Sequence, residues 1–276
     1  SVATPCSFVD MCLIIFAYQA EPRYPLVVAA NRDEFYARPT AEADFWESPS
    51  SLPLRSQVLA GRDLQAGGTW LGIAPEGRFA AVTNIFDPSR DKQKVRSRGD
   101  LPKGFLIGSL SPEEYFESIH TEFDQFAGFN LLLGDSKTLY YANNIEGIIS
   151  QLEPGIYGLS NGLLNDTQPR VERGEKKLKS LLDPNPKLDT DLLIRMMADK
   201  EVATDQELSS KPVTFKLERQ LSSTFIVDQE QRYGTRCSTA VIRNEMGNVR
   251  FCEQNYDSSG KPTGCNFFEL RAMPTK

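Results

Sequence analysis

Met11-Cys-Leu-Ile-Ile-Phe-Ala-Tyr18 and, after a short polar interval, Leu26-Val-Val-Ala-Ala-Asn-Arg-Asp-Glu-Phe-Tyr-Ala-Arg-Pro39 are the segments around which the chain is organised. The apolar runs Leu13 to Phe16 and Leu26 to Ala30, separated by Glu21, Pro22, Arg23 and Pro25, have the pattern of two buried antiparallel strands joined by a turn. In that arrangement Cys12 opens the first strand while Asn31, Arg32, Asp33 and Glu34 close the second, so both ends share one rim of a sheet. A thiol there meets a guanidinium, which lowers a thiol pKa from about 8.5, and a carboxylate able to orient a proton acceptor.

Working outward, the 276 residues are 40% hydrophobic and 25% charged, the composition of a globular protein. The expected organisation is an extension at 1–10 and a single domain over 11–276. A formal net charge of -6 argues against a general preference for nucleic acid or anionic membrane. No apolar run approaches the roughly 20 residues of a membrane span, and no basic-then-apolar leader opens the chain. With five scattered cysteines and no Cys-x-x-Cys pair, free thiols in a reducing, cytoplasmic setting are expected. The only histidine, His120, falls on a helix opened by Ser111-Pro112-Glu113-Glu114, with Tyr115, Phe116, Ile119 and Phe123 as its apolar face. A Cys–His pair would have to use this histidine, and a metal site of several imidazoles is excluded.

Beyond the first hairpin, Ala41 to Gln57 reads as a long loop anchored by Phe45 and Trp46. Val58–Arg62, Thr69–Ile73 and Phe79–Asn84 read as a meander punctuated by Gly67-Gly68, which the pattern assigns to a turn with positive φ. Asn84 ends its strand near the same rim. The segment from Asp87 to Pro102 carries Arg90, Lys92, Lys94, Arg96 and Arg98 as a solvated loop. Further strands are expected at 130–133, 139–142, 148–152, 223–227, 237–242, 249–254 and 265–270, with helices near Arg170 to Leu182 and Asp191 to Ala198. Asn161 lies in a Gly-bounded bend, and Arg236 sits at a strand start. Many antiparallel strands with a helical block between them make an α+β protein.

Taken together, Met11-Cys12, Asn31-Arg32-Asp33-Glu34 with Arg38-Pro39, Gly67-Gly68-Thr69-Trp70-Leu71-Gly72, Thr83-Asn84, Tyr157-Gly-Leu-Ser-Asn161 and Tyr233-Gly-Thr-Arg236 resemble the NRDE, or transport and Golgi organisation protein 2, family. The resemblance implies a four-layer αββα sandwich like that of the N-terminal-nucleophile hydrolases, with mainly antiparallel sheets. It also implies a role in haem mobilisation, lipid or acyl-CoA homeostasis or Golgi organisation. A more distant similarity runs to cysteine amidohydrolases that include bile salt hydrolase and penicillin V acylase. Through it, Cys12 is expected as nucleophile, Arg32 or Asp33 as its orienting partners, Asn84 and Asn161 as oxyanion-side groups and Arg236 as thiolate stabiliser.

With histidine unavailable, the base would be the free α-amine of an N-terminal cysteine, pKa about 7.7 to 8.0. Cys12 would then have to follow removal of Ser1 to Met11. The first expectation is an intracellular protein that binds a hydrophobic small molecule, haem or an acyl compound, with Trp46, Trp70 and Phe35 near the rim. The second is a cysteine amidohydrolase acting on a C–N bond without a cofactor. Oligomeric state is not legible in the chain.

Overall fold

The computed structural model describes residues 12–46, 58–85, 87, 96–183, 187–208, 219, 222–228, 230 and 232–272. The proposed extension at 1–10, Met11, the far part of the loop ending at Gln57, and Arg90, Lys92 and Lys94 lie outside the described residues.

The strands are β1 (Cys12–Tyr18), β2 (Leu26–Phe35), β3 (Thr40–Phe45), β4 (Leu59–Asp63), β5 (Leu71–Ala74), β6 (Arg78–Asn84), β7 (Phe129–Gly134), β8 (Leu139–Asn143), β9 (Ile148–Gln151), β10 (Gly155–Leu159), β11 (Val227–Asp228), β12 (Tyr233–Arg243), β13 (Val249–Tyr256) and β14 (Pro262–Leu270). The helices are α1 (Asp100–Ile107), α2 (Pro112–Ile119), α3 (Pro169–Leu182) and α4 (Thr190–Met197). One sheet runs β10-β1-β2-β12-β13-β14, with β11 on β12, and the other runs β3 to β9 in chain order. Every pairing between these strands is antiparallel.

The apolar run in β1 is continuous because both its faces are buried. Ile14, Phe16 and Tyr18 join Val28, Phe79 and Leu132 between the two sheets, whereas Leu13, Ile15 and Ala17 pack under Val171, Leu178, Leu193 and Met197 of α3 and α4. On the other flank, Leu101, Phe105 and Phe116 of α1 and α2 cover Ala80, Leu131 and Leu133. The result is the αββα order that the family resemblance implied. Among the described residues no helix is long and apolar enough to cross a membrane.

Several expected elements differ: β2 runs on through Asn31–Phe35 because β12 pairs with it there, Thr40–Phe45 of the expected loop pairs with β4 as β3, the expected 87–102 loop turns into α1 at Asp100, and β12 begins at Tyr233. Residues 223–226 form a turn, because Ser223 Oγ donates to the Phe225 carbonyl at 2.8 Å and the Phe225 N–H donates to Asp199 O at 2.7 Å, leaving only Val227–Asp228 as strand. The helix begun by the Ser111–Glu114 capping box ends at Ile119 and tightens into a 3₁₀ turn over His120–Gln125. His120 is exposed there, its Nδ1 on the Glu117 carbonyl, far in role from any nucleophile.

Candidate active site

Antiparallel register places Cys12 of β1 opposite Arg32 of β2, and Arg32 opposite Cys237 of β12. Alternation then sends neighbouring side chains to opposite faces. Asn31 turns toward the helices, where its Nδ2 donates to the carbonyls of Met197 and Thr224 at 2.9 and 2.8 Å and its Oδ1 accepts from Ser238 Oγ at 2.6 Å. It is a structural pin. Arg32 turns toward the second sheet, stacked 4.3 Å from the Trp70 ring centroid and donating to Thr40 Oγ1 at 2.8 Å. Glu34 lies on the same face, 3.5 Å from Arg32 Nη2 and 3.4 Å from Arg38 Nε, and Arg38 goes on to grip Asp63 Oδ2 at 2.7 Å.

The Gly67-Gly68-Thr69-Trp70 motif makes this wall possible, though not by a turn alone. Gly67 has the positive φ, while a Cβ on Gly68 would lie 2.5 Å from the Gly99 carbonyl carbon, so Gly68 permits the 97–99 segment to close one side of the cavity. Gly61 makes room for Trp70, since a Cβ there would stand 2.2 Å from the indole. Trp46 does not reach the site. Its indole N–H donates to Ala60 O and its ring packs on the outer face of the second sheet. Phe35 packs edge-on against Tyr233.

The cavity that results is about 80 Å³ and is lined by Cys12, Arg32, Asp33, Trp70, Asn84 and Arg98, among others. Three sequence-expected residues, Arg32, Asp33 and Asn84, thus share it with Cys12. Asn161 stands directly behind Asn84, its Nδ2 donating to the Asn84 carbonyl at 3.0 Å. Arg236 is placed differently. A register shift between Thr235 and Cys237 carries it out of the ladder, and its Nη1 donates to the carbonyls of Phe35 and Arg38 at 2.9 and 3.1 Å, so it braces the turn after β2 and does not line the cavity.

Asp33 is fully buried and faces the helix layer. Its Oδ1 accepts from Thr235 Oγ1 at 2.7 Å, while Oδ2 lies 3.5 Å from Arg170 Nη1 with no hydrogen bond of good length. Burial pushes this carboxyl up to about 6, outweighing the attraction of Arg170 and the Thr235 bond. Arg170, in the first turn of α3, is a residue that sequence reasoning passed over as part of a helix. The available signal was positional: a cation next to Pro169 at a helix N-terminus opposes the helix dipole, so a buried partner must compensate.

Behind Arg32, Cys237 and Glu253 form a second buried group. Glu253 Oε1 accepts from the Ala43 N–H at 2.6 Å, bridging the two sheets. Burial raises Glu253 to about 7, and burial beside Glu253 pushes the Cys237 thiol well up. Cys237 is therefore a protonated core thiol rather than a reactive one. Among the described residues no cluster of three or more His, Cys, Asp or Glu could hold a metal.

The family described as "Transport and Golgi organisation 2" matches residues 11–258. The chain belongs to that family. It is 32% identical to the Mus musculus Transport and Golgi organization 2 homolog, covering 95% of this chain and 100% of that one. It is 33% identical to the Homo sapiens homolog, covering 89% and 93% respectively. Among solved structures, a Caenorhabditis elegans N-acylethanolamine-hydrolyzing acid amidase ortholog superposes with a TM-score of 0.50 at 11% identity, over 84% of this chain and 92% of that one. That likeness is one of fold, the N-terminal-nucleophile hydrolase fold.

Proposed function

We propose that this chain carries a cysteine amidohydrolase site in which Cys12 attacks the carbonyl of a small polar amide. The observation that carries the reading is the cavity itself: a thiol at its edge, a cation opposite, a buried carboxylate, Asp33, beneath it with Oδ2 3.5 Å from Arg170, and a carboxamide, Asn84, on the facing sheet. In a form beginning at Cys12, the α-amine takes the thiol proton while Asp33 Oδ2 accepts a hydrogen bond from that amine. The thiolate then adds to the amide carbon, and the developing oxyanion is met by amide N–H groups on the Asn84 side. Collapse expels the amine, which leaves with the proton held by the α-amine. Water next cleaves the thioester, releasing the carboxylic acid and restoring the thiol. An amide nitrogen inside a peptide bond cannot accept the first proton, so the reaction belongs to the trimmed form.

The cavity size favours this reading over carriage of a haem or a long acyl chain. Pockets that bury drug-sized ligands measure roughly 300–1,000 Å³, and the charged cavity at Cys12, about 80 Å³, admits a functional group rather than a macrocycle. The test is amine release from a panel of short acyl amides by protein prepared to begin at Cys12, by the same protein with one residue before Cys12, and by Cys12→Ala. Release by the first alone supports the reading. Equal, substrate-independent background from all three removes it.

A further inference from the structure

Arg170 is the most completely buried cation of the described chain, and its surroundings tie together residues that are otherwise far apart. The side chain leaves the first turn of α3 and passes beneath the rim, 1% exposed. Its Nη1 faces Asp33 Oδ2 at 3.5 Å, its Nη2 donates to Asn161 Oδ1 at 3.1 Å, and the same Nη2 donates to Ser160 Oγ. Asn161 in turn holds the Asn84 carbonyl. One planar fork therefore spans the end of β2, the bend after β10 and, through Asn161, the end of β6. Nothing in the stability of α3 asks for this. An arginine at that end of a helix works against the dipole, and an apolar side chain of similar volume would pack against β1 without the desolvation cost of a buried guanidinium.

We propose that Arg170 is a positioning residue for Cys12, locking the carboxylate side (Asp33) and the carboxamide side (Asn161 and Asn84) of the site into one rigid unit and adding a second buried positive charge to that of Arg32 near the thiol. The assignment transfers to Arg170 the role that sequence similarity had suggested for Arg236, whose guanidinium is occupied by the turn after β2. It takes its chemical purpose from the amidohydrolase reading, but its consequence for the thiol is independent of any substrate. The Arg170 fork lies behind the Asp33 and Asn84 that line the same cavity as Cys12, and a thiolate at Cys12 would be favoured by its charge. Among the described residues, the other charged groups lining the cavity are Arg32, Asp33 and Glu34 of β2, Arg38 beyond it, Asp63 of β4 and Arg98 before α1. Cys237 and Glu253, behind Arg32, are held toward their neutral forms by burial and add little charge below neutral pH.

The experiment reads the rate of Cys12 alkylation by iodoacetamide against pH, by peptide mass, in the wild-type chain, Arg170→Lys and Arg170→Gln, each checked for folding by circular dichroism. In Arg170→Gln the guanidinium and the fork it makes are lost; protonation of Asp33 offsets part of the lost charge, and the alkylation midpoint is expected to rise by up to about one pH unit, slowing labelling at neutral pH by up to about tenfold. Lysine brings the charge but reaches only one of the two partners, so its midpoint is expected between the other two. Superimposable profiles for the wild type and Arg170→Gln, with only thermal stability lowered, overturn the proposal. If Arg170→Gln does not fold, an Arg170→Lys profile identical to wild type overturns it equally. Because alkylation needs no amide, a wild-type protein that hydrolyses nothing counts against the amidohydrolase reading alone.

Discussion

Glu253→Gln should stabilise the protein, and only above a definable pH. Glu253 points from β13 into the space between the sheets, where it is 1% exposed, and its Oε1 accepts from the Ala43 backbone at 2.6 Å. Burial raises its pKa from 4.5 to about 7, with the Ala43 and Cys237 hydrogen bonds and Arg32 pulling the other way and losing. Because the folded state holds this proton more tightly than the unfolded chain, the contribution is complete below pH 4.5 and is lost as pH rises toward 7. At about 1.4 kcal/mol per pH unit, the interval corresponds to about 3 kcal/mol of stability surrendered by pH 8. Glutamine preserves the acceptor for Ala43 and cannot ionise. Urea unfolding of both proteins between pH 4 and 8 should give nearly equal stabilities at the acid end and a variant about 3 kcal/mol more stable at the alkaline end. For a chain of this size that is roughly 6–12 °C in Tm. A difference that stays constant across the range, or a variant less stable at pH 8, would show that Glu253 is ionised and paired with Arg32, and the reasoning from burial would fail.

Three further outcomes follow from the same structure. Iodoacetamide at neutral pH should label Cys12 before Cys237 and Cys252, whose thiols burial pushes up; Cys237 labelling at the rate of Cys12 in the folded protein would contradict the assignment of the reactive thiol. Gly61→Ala drives a methyl to 2.2 Å from the Trp70 indole, so a loss of about 1–3 kcal/mol and an altered tryptophan emission are expected, and an unchanged spectrum would mean that Trp70 does not sit under β4. Asp189→Ala removes the side-chain cap on the Leu192 N–H and should cost about 0.5–2 kcal/mol in chemical denaturation, without changing Cys12 labelling because α4 packs away from the cavity.

The alternation and punctuation of the chain determine much of this protein. Leu13 to Phe16 and Leu26 to Ala30 are read correctly as buried neighbours because strand identity depends on local spacing, and Ser111–Glu114 announces its helix because a capping box is complete within four residues. The rim positions of Cys12 and Asn84 were legible because each lies at an end of its strand, whereas Arg32 and Asp33, expected to close theirs, lie inside β2, which pairs on to Phe35. What the chain could not disclose is which side chain each of these would meet. Arg170 finds Asp33 across 137 positions and Glu253 finds Ala43 across 210, contacts set by how the sheets and helices stack and not by any spacing along the sequence. Arg236 shows the limit most sharply. It was expected at a strand start but lies inside β12, which begins at Tyr233, and the register shift that turns it out of the ladder depends on how β12 pairs with β2, a property of two strands together.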